Sequence, residues 1–265
     1  MISFHLALYA TIVFYGAATV SVFISLFNRD EKLQKLGLGL VATGFVTHTV
    51  WIGSICSRTL HPPLTNLPET TAFIGWLVVV AQLFLYFRYR VYAASFFVYP
   101  LLVILITVPA IVRDPLATMD PALRSNVFIG HLLLTMIGLA ALLIGLAFTI
   151  LYQVQERAIR LKRRGRLYQW IPSLRVCDVL GYRLLASGFV IYTLGLGAGI
   201  LWSYRTTAGA FSLRAKEIGA LTAWVMFAAI LQTYISGSQR ARRVLILSAF
   251  AFISITIALL GIQHV

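Results

Sequence analysis

The chain has 265 residues, 60% of them hydrophobic and only 11% charged, with a mean hydropathy of +0.88. A water-soluble domain carries about 25% charged residues, so a soluble globular protein is excluded and a polytopic membrane protein is indicated. The net charge of +14 does not call for nucleic acid, because basic residues crowd the cytoplasmic loops of membrane proteins.

Apolar runs of about twenty residues predict transmembrane spans. The runs are continuous and do not alternate, so they predict helices and not a barrel. In chain order they fall at 3–27, 36–57, 69–87, 92–112, 128–153, 184–203, 218–235 and 244–262. The expected fold is an all-α integral membrane bundle of about eight transmembrane helices, a single domain over 1–265. The first run lacks a basic leader and a small-residue cleavage site, so it reads as a retained span. Sixteen of the 22 Lys and Arg residues lie in the connections at 28–35, 88–91, 154–183 and 236–243; six lie in the others. The bias places the first set in the cytoplasm and both termini outside. The longest cytoplasmic loop, 156–183, mixes basic residues with Leu, Ile, Tyr and Trp. It is expected to lie on the anionic leaflet as a short interfacial helix.

Cys56 and Cys177 fall on opposite sides of the membrane and cannot pair with each other. There is no C-x-x-C-H, no C-x-x-C and no Walker A sequence, which argues against a c-type cytochrome, a thiol oxidoreductase and an ATP-driven transporter. Between spans two and three the chain reads HPPLTNLPETTAFIGW, His61 to Trp76. Its prolines stop one helix, and Glu69 favours the start of the next. Glu217 opens a span in the same way. Gln82, Gln153 and Gln232 read as interhelical hydrogen-bonding groups.

Topology puts His5, His61, His131 and His264 at or just beyond the outer ends of spans. His48 lies about nine residues inside span two, roughly 13 Å deep. Imidazoles from different helices suit an axially ligated haem iron better than zinc, which wants a third or fourth ligand. His48 is a candidate ligand because an ionisable group in lipid is costly; a neutral imidazole bonded to a neighbouring helix is the alternative.

Three segments carry a resemblance. HPPLTNLPETTAFIGW is similar to the outer loop of the cytochrome c assembly family, of the CcsA and HemX type, through His61, Pro63, Leu64, Asn66, Leu67, Glu69 and Trp76. GHLLLTMIGLAALLIG, Gly130 to Gly145, resembles the family helix that opens on a haem-ligating His, here His131. CDVLGYRLLASGFVIYTLGLGAGILW, Cys177 to Trp202, matches at Asp178, Leu180, Tyr182, Arg183, Phe189, Thr193, Gly195, Gly199 and Trp202. The register runs on through Lys216, Glu217 and Trp224.

The resemblance implies a haem held at the outer face by His131 and His264 and passed to apocytochrome c. His61 and Asn66 would line the vestibule, and Arg124 or Arg214 would meet the propionates. It also implies a CcsB-like membrane partner, a lipid bilayer environment and a bacterial inner-membrane location. The sequence departs from the family at TAGAFSLRAKE, Thr207 to Glu217, where a tryptophan-rich haem-bedding motif is expected. Phe211 and Leu213 stand for tryptophans and Arg214 for Asp. Gln232 stands where the family has a histidine ligand within the membrane. Those losses keep a second class open, a HemX-like accessory or regulator of haem biosynthesis without covalent chemistry. A small-solute transporter is a third class that rests on membrane architecture alone.

Overall fold

The computed structural model describes residues 2–28, 30–64, 66–92, 94–112, 125–162, 171–206, 215–236 and 241–260. These form eight α-helices: α1 Ile2–Asn28, α2 Glu31–Thr59, α3 Leu67–Tyr89, α4 Ser95–Ile111, α5 Asn126–Arg160, α6 Leu174–Thr206, α7 Ala215–Ile235 and α8 Ala241–Leu260. No strand occurs among the described residues. Each helix coincides with one of the predicted spans. Six are long and apolar enough to cross a membrane; α4 and the apolar stretch Ile246–Ala258 of α8 are shorter. Large apolar side chains such as Val13, Phe84, Phe87, Val190 and Leu194 point outward, as lipid-facing positions require.

The ends of the helices follow from their sequences. Asp30 caps α2 by accepting from the Lys32 backbone N–H at 2.8 Å. Ser125 caps α5 by accepting from the Phe128 N–H at 3.1 Å. Asn66 caps α3: its Oδ1 accepts from the Glu69 N–H at 2.9 Å and its Nδ2 donates to Glu69 Oε1 at 3.3 Å. The pair differs from a capping box in that Glu69 accepts from the Asn66 side-chain amide and not from its backbone N–H. Pro68 falls in the first turn, where a missing N–H costs nothing. The α2 C-cap, Leu60, takes the left-handed conformation at φ 57°.

The basic loop at 156–183 corrects one expectation. Its described parts are not a separate interfacial helix. Residues up to Arg160 continue α5, and α6 already begins at Leu174. The extension of α5 is helix-compatible throughout, with a Glu156–Arg160 ion pair one turn apart at 2.6 Å. Residues 163–170 lie outside the described residues. At 35 and 33 residues these two helices exceed the ~20 residues that a bilayer requires, so both project beyond the hydrocarbon.

The tightest pair is α5 with α6, antiparallel. Gly181, Gly188 and Gly195 recur every seven residues along α6, a left-handed packing period. Gly138 of α5 answers them: a Cβ there would meet the Tyr192 backbone N at 2.6 Å. α1 pairs with α2, α3 with α4 and α7 with α8; α3 against α5 joins the two halves of the bundle.

Among the predicted bridging glutamines, Gln82 donates to Ser95 Oγ at 3.2 Å and links α3 to α4. Gln153 is buried, with no hydrogen-bond partner for its amide among the described residues. Gln232 is exposed on α7 and therefore does not bridge helices as its sequence position suggested. Cys56 and Cys177 are both free thiols.

Candidate functional site

A cavity of about 190 Å³ opens at the end of the bundle that holds the N-termini of α3, α5 and α7. Five helices line it: Thr70 and Ile74 from α3, Phe128 to Leu139 from α5, Tyr192 to Ser203 from α6, Glu217 to Leu221 from α7, and Ile255 and Ala258 from α8. Most of that surface is apolar. The exceptions are concentrated in His131, Thr70, Thr135, Tyr192, Ser203 and Glu217.

His131 sits five residues into α5, one side of its ring against α6. Its Nδ1 lies 2.7 Å from the Gly195 carbonyl oxygen. A carbonyl only accepts, so the neutral ring carries its proton on Nδ1 and its lone pair on Nε2. Thr135 donates its hydroxyl hydrogen to the His131 carbonyl at 2.7 Å and offers its oxygen to the same Nδ1 at 3.4 Å. Only glycine fits beneath the ring. A Cβ on Gly199 would lie 2.6 Å from His131 Nδ1 and Cε1, and one on Gly195 would lie 2.7 Å from the Thr135 backbone N. The sequence therefore folds here into a histidine whose rotamer and tautomer are both held by a neighbouring helix. Metal-ligating histidines are usually oriented by such a second hydrogen bond.

Beside His131 stands an aromatic wall. The Phe128 ring lies 6.4 Å from the His131 ring and 4.6 Å from the Trp202 ring. The buried Trp202 Nε1 has no hydrogen-bond partner among the described residues, although an indole N–H ordinarily finds one. The Tyr192 hydroxyl donates to the Ala220 carbonyl at 3.3 Å and ties α6 to α7 across the cavity.

The remaining predicted site residues lie elsewhere. His48 is fully buried between α1, α2 and α3. Its Nδ1 is 3.2 Å from the Tyr15 hydroxyl and its ring lies beside Trp51. Gly75 of α3 packs on its Cε1 side, so α3 stands between His48 and the cavity. His61 is buried in the α2–α3 loop, with Nδ1 2.8 Å from the Pro62 carbonyl. Asn66 is committed to capping α3. Neither His61 nor Asn66 lines the cavity; what the His61–Trp76 stretch delivers there is Thr70, one turn into α3. His264, Arg214 and Arg124 lie outside the described residues. Removing the Asn66 cap is expected to cost about 1 kcal/mol. Asn66→Ala should lower the melting temperature of the detergent-purified protein, while Asn66→Ser should restore it.

The residues present fit a haem in part. His131 has the tautomer that an axial donor needs, with its lone pair on Nε2, and flat aromatic and aliphatic groups stand beside it. The cavity is smaller than the roughly 300–1,000 Å³ of sites that engulf a drug-sized ligand, so it does not enclose a porphyrin. Among the described residues, no three His, Cys, Asp or Glu side chains gather, so these residues do not offer the ligand set of a bare zinc ion.

The sequence profile of the family described as "Cytochrome C assembly protein" matches residues 64–265. The chain belongs to that family. Among cytochrome c assembly proteins it is similar to the cytochrome c biogenesis protein CcsA of Guillardia theta, 26% identical over 257 residues, covering 90% of this chain and 85% of that one. CcsA of Mesostigma viride is 26% identical over 283 residues, covering 96% and 89%. Protein HemX of Brevibacillus brevis is 23% identical over 212 residues, covering 78% and 77%. The solved structure of the cytochrome c heme lyase CcmF superposes on 99% of this chain with a TM-score of 0.68 at 17% identity. This chain spans 46% of that longer one, and the likeness is one of fold.

The profile runs through all five helices that line the cavity. The sequence pointed to His131 but not to Thr70, Thr135 and Tyr192 as its neighbours, and it offered Glu217 as a helix-start residue in register with the family and not as part of the cavity. The available signal was the run Tyr192–Gly195–Gly199, a tyrosine followed on one helical face by two residues without side chains.

Proposed function

We propose that this cytochrome c assembly protein handles haem for cytochrome c biogenesis, with His131 as an axial donor at the outer end of the bundle. The observation that carries the reading is His131 itself, held by the Gly195 carbonyl so that the Nε2 lone pair is its ligating atom, in a largely apolar cavity. Bound there, haem would supply an iron that takes axial nitrogen and vinyl groups to which apocytochrome c thiols add. The chain's own contribution is positional. Gly195 and Thr135 hold the imidazole, Gly199 lets it lie against α6, and Phe128 and Trp202 give an aromatic wall. In this reading His264 would offer a second imidazole to the iron, and Arg214 or Arg124 would meet the propionates. The bias of Lys and Arg toward the opposite connections supports a reading in which this end of the bundle faces the outer side of a bacterial cytoplasmic membrane, where apocytochrome c and a CcsB-like partner would dock.

The second reading, a HemX-like accessory protein, is favoured by one observation: TAGAFSLRAKE lacks the tryptophans of the family's haem-bedding motif. Two measurements separate the two. Protein purified from haem-replete membranes should show a stoichiometric Soret band, diminished in His264→Ala. A colourless preparation would sink the haem reading. A haem-bearing protein that does not restore cytochrome c maturation to a strain lacking CcsA, with its CcsB partner present, would favour the accessory role.

A further inference from the structure

Two stretches of the chain that lie far apart repeat each other. Residues 37–55 read GLGLVATGFVTHTVWIGSI and residues 181–199 read GYRLLASGFVIYTLGLGAG. Aligned without a gap, they share Gly37/Gly181, Leu40/Leu184, Ala42/Ala186, Gly44/Gly188, Phe45/Phe189, Val46/Val190, Thr49/Thr193 and Gly53/Gly197. Apolar helices resemble one another easily, but their side-chain contacts do not. Trp76 of α3 stacks on Phe45 and donates its indole N–H to Thr49 Oγ1 at 3.0 Å. Trp224 of α7 stacks on Phe189 and donates to Thr193 Oγ1 at 2.9 Å. Glu69 lies as far ahead of Trp76 as Glu217 does ahead of Trp224.

The glycines confirm the correspondence from the other side. A Cβ on Gly44 would strike Tyr15 and crowd Phe14 of α1, and one on Gly188 would crowd Ala141 and Leu142, with the Gly138 carbonyl, on α5. On Gly37 it would strike Val22 and touch Ser21; on Gly181 it would touch Phe148 and Thr149 of α5, with the Tyr234 hydroxyl of α7 closest. All four partner pairs keep one constant offset between α1 and α5. We infer that the chain is a tandem duplication of one four-helix unit, α1–α4 and α5–α8, and that its ligand site opens among the helices of the second unit, with α3 of the first closing one wall.

The difference between the units lies at the cavity. Gly195 and Gly199, which carry and admit the His131 ring, correspond to Trp51 and Ile55 in the first unit. Both of those side chains are buried, at 3% and 1% exposure. Tyr192 corresponds to His48, which is bonded to Tyr15 instead of facing an opening. Ser203, on the cavity wall, corresponds to Thr59, which is buried and donates to the Ile55 carbonyl at 3.0 Å. The outer helices differ too. α1 packs along α4, whereas α5 and α8 scarcely touch and the cavity reaches α8 between them. Gly195 and Gly199 are thus the residues that open the site and set its size, and His48 is a structural counterpart of Tyr192. That the ligand is haem rests on the function proposed above; the duplication and its asymmetry do not.

The test uses full-length protein in membranes with Cys56→Ser and Cys177→Ser. Into it are introduced Ser203→Cys or Thr59→Cys, equivalent positions of the two units, and each is labelled with a small methanethiosulfonate reagent. Ser203→Cys should react at least about tenfold faster, since thiol reactivity follows access. Adding Gly199→Ile should slow it, and adding Ile55→Gly should speed Thr59→Cys. Equal labelling of the two positions would overturn the inference. Haemin titration of His48→Tyr, which installs the second unit's residue, should match the unsubstituted protein. Loss of the Soret band there would make His48 a ligand and also overturn it. A protein that takes up no haemin but keeps the labelling contrast loses the haem reading and leaves the duplication standing.

Discussion

His131→Gly should abolish the Soret band of the haemin-titrated protein, and millimolar free imidazole should bring it back. The substitution deletes the ring and leaves a space of its own shape against Gly195, Gly199 and Thr135. The Gly195 carbonyl remains as an acceptor, so an added imidazole can donate to it through one nitrogen and present the other to iron. Orienting hydrogen bonds of this kind are worth 10- to 100-fold in metal affinity, and loss of the axial donor itself should cost more than that. A loss of about 1–2 kcal/mol in stability is expected, because glycine inside α5 lowers helix propensity and the Gly195 carbonyl loses its donor. A wild-type Soret band in His131→Gly would place the iron elsewhere. Loss of the band without imidazole rescue, in a protein that still unfolds cooperatively, would mean that the ring is needed for a reason other than ligation.

The second large effect belongs to the α5–α6 seam. Gly138→Ala should destabilise the protein and Gly197→Ala should not, although both add one methyl group to a long apolar helix. At Gly138 the new Cβ would lie 2.6 Å from the Tyr192 backbone N and 2.8 Å from its Cα. Backbone cannot swing aside as a side-chain tip can, so the helices must separate and the contacts along the glycine heptad loosen together. Overpacking of this kind costs about 1–3 kcal/mol. At Gly197 nothing lies within 4 Å, and alanine's better helix propensity gives at most about 1 kcal/mol in the favourable direction. Thermal unfolding in detergent reads both. Because Tyr192 also lines the cavity, Gly138→Ala should weaken haemin binding as well. If the two variants melted alike, the seam would not be the tight contact described above.

The parts that could be read in advance and those that could not differ in physical kind. Eight apolar helices, six of them long enough to cross a membrane, were legible because insertion in lipid depends on the length and apolarity of a continuous segment, and both are written locally. The ends of α5 and α6 were not, since hydropathy reports where the membrane stops and not where the helix does. Glu156 to Arg160 are polar and still helical. His131 was legible as a candidate through its position and family resemblance. Asn66 was read as a vestibule residue, yet the reciprocal bonds with Glu69 make it a cap. A cap and a binding group draw on the same side chains, and only the geometry separates them.

Composition and run length were enough to establish a membrane bundle, its helix count and the histidines on offer, because each of these depends on near neighbours in the chain. The orientation of His131 depends on a carbonyl 64 residues away, on α6. The cavity depends on two glycines standing where the first half of the chain has Trp51 and Ile55. Such features arise from how closely two helices approach, and that approach is set by side chains that are missing, whose effect appears only when the partner helix is in place.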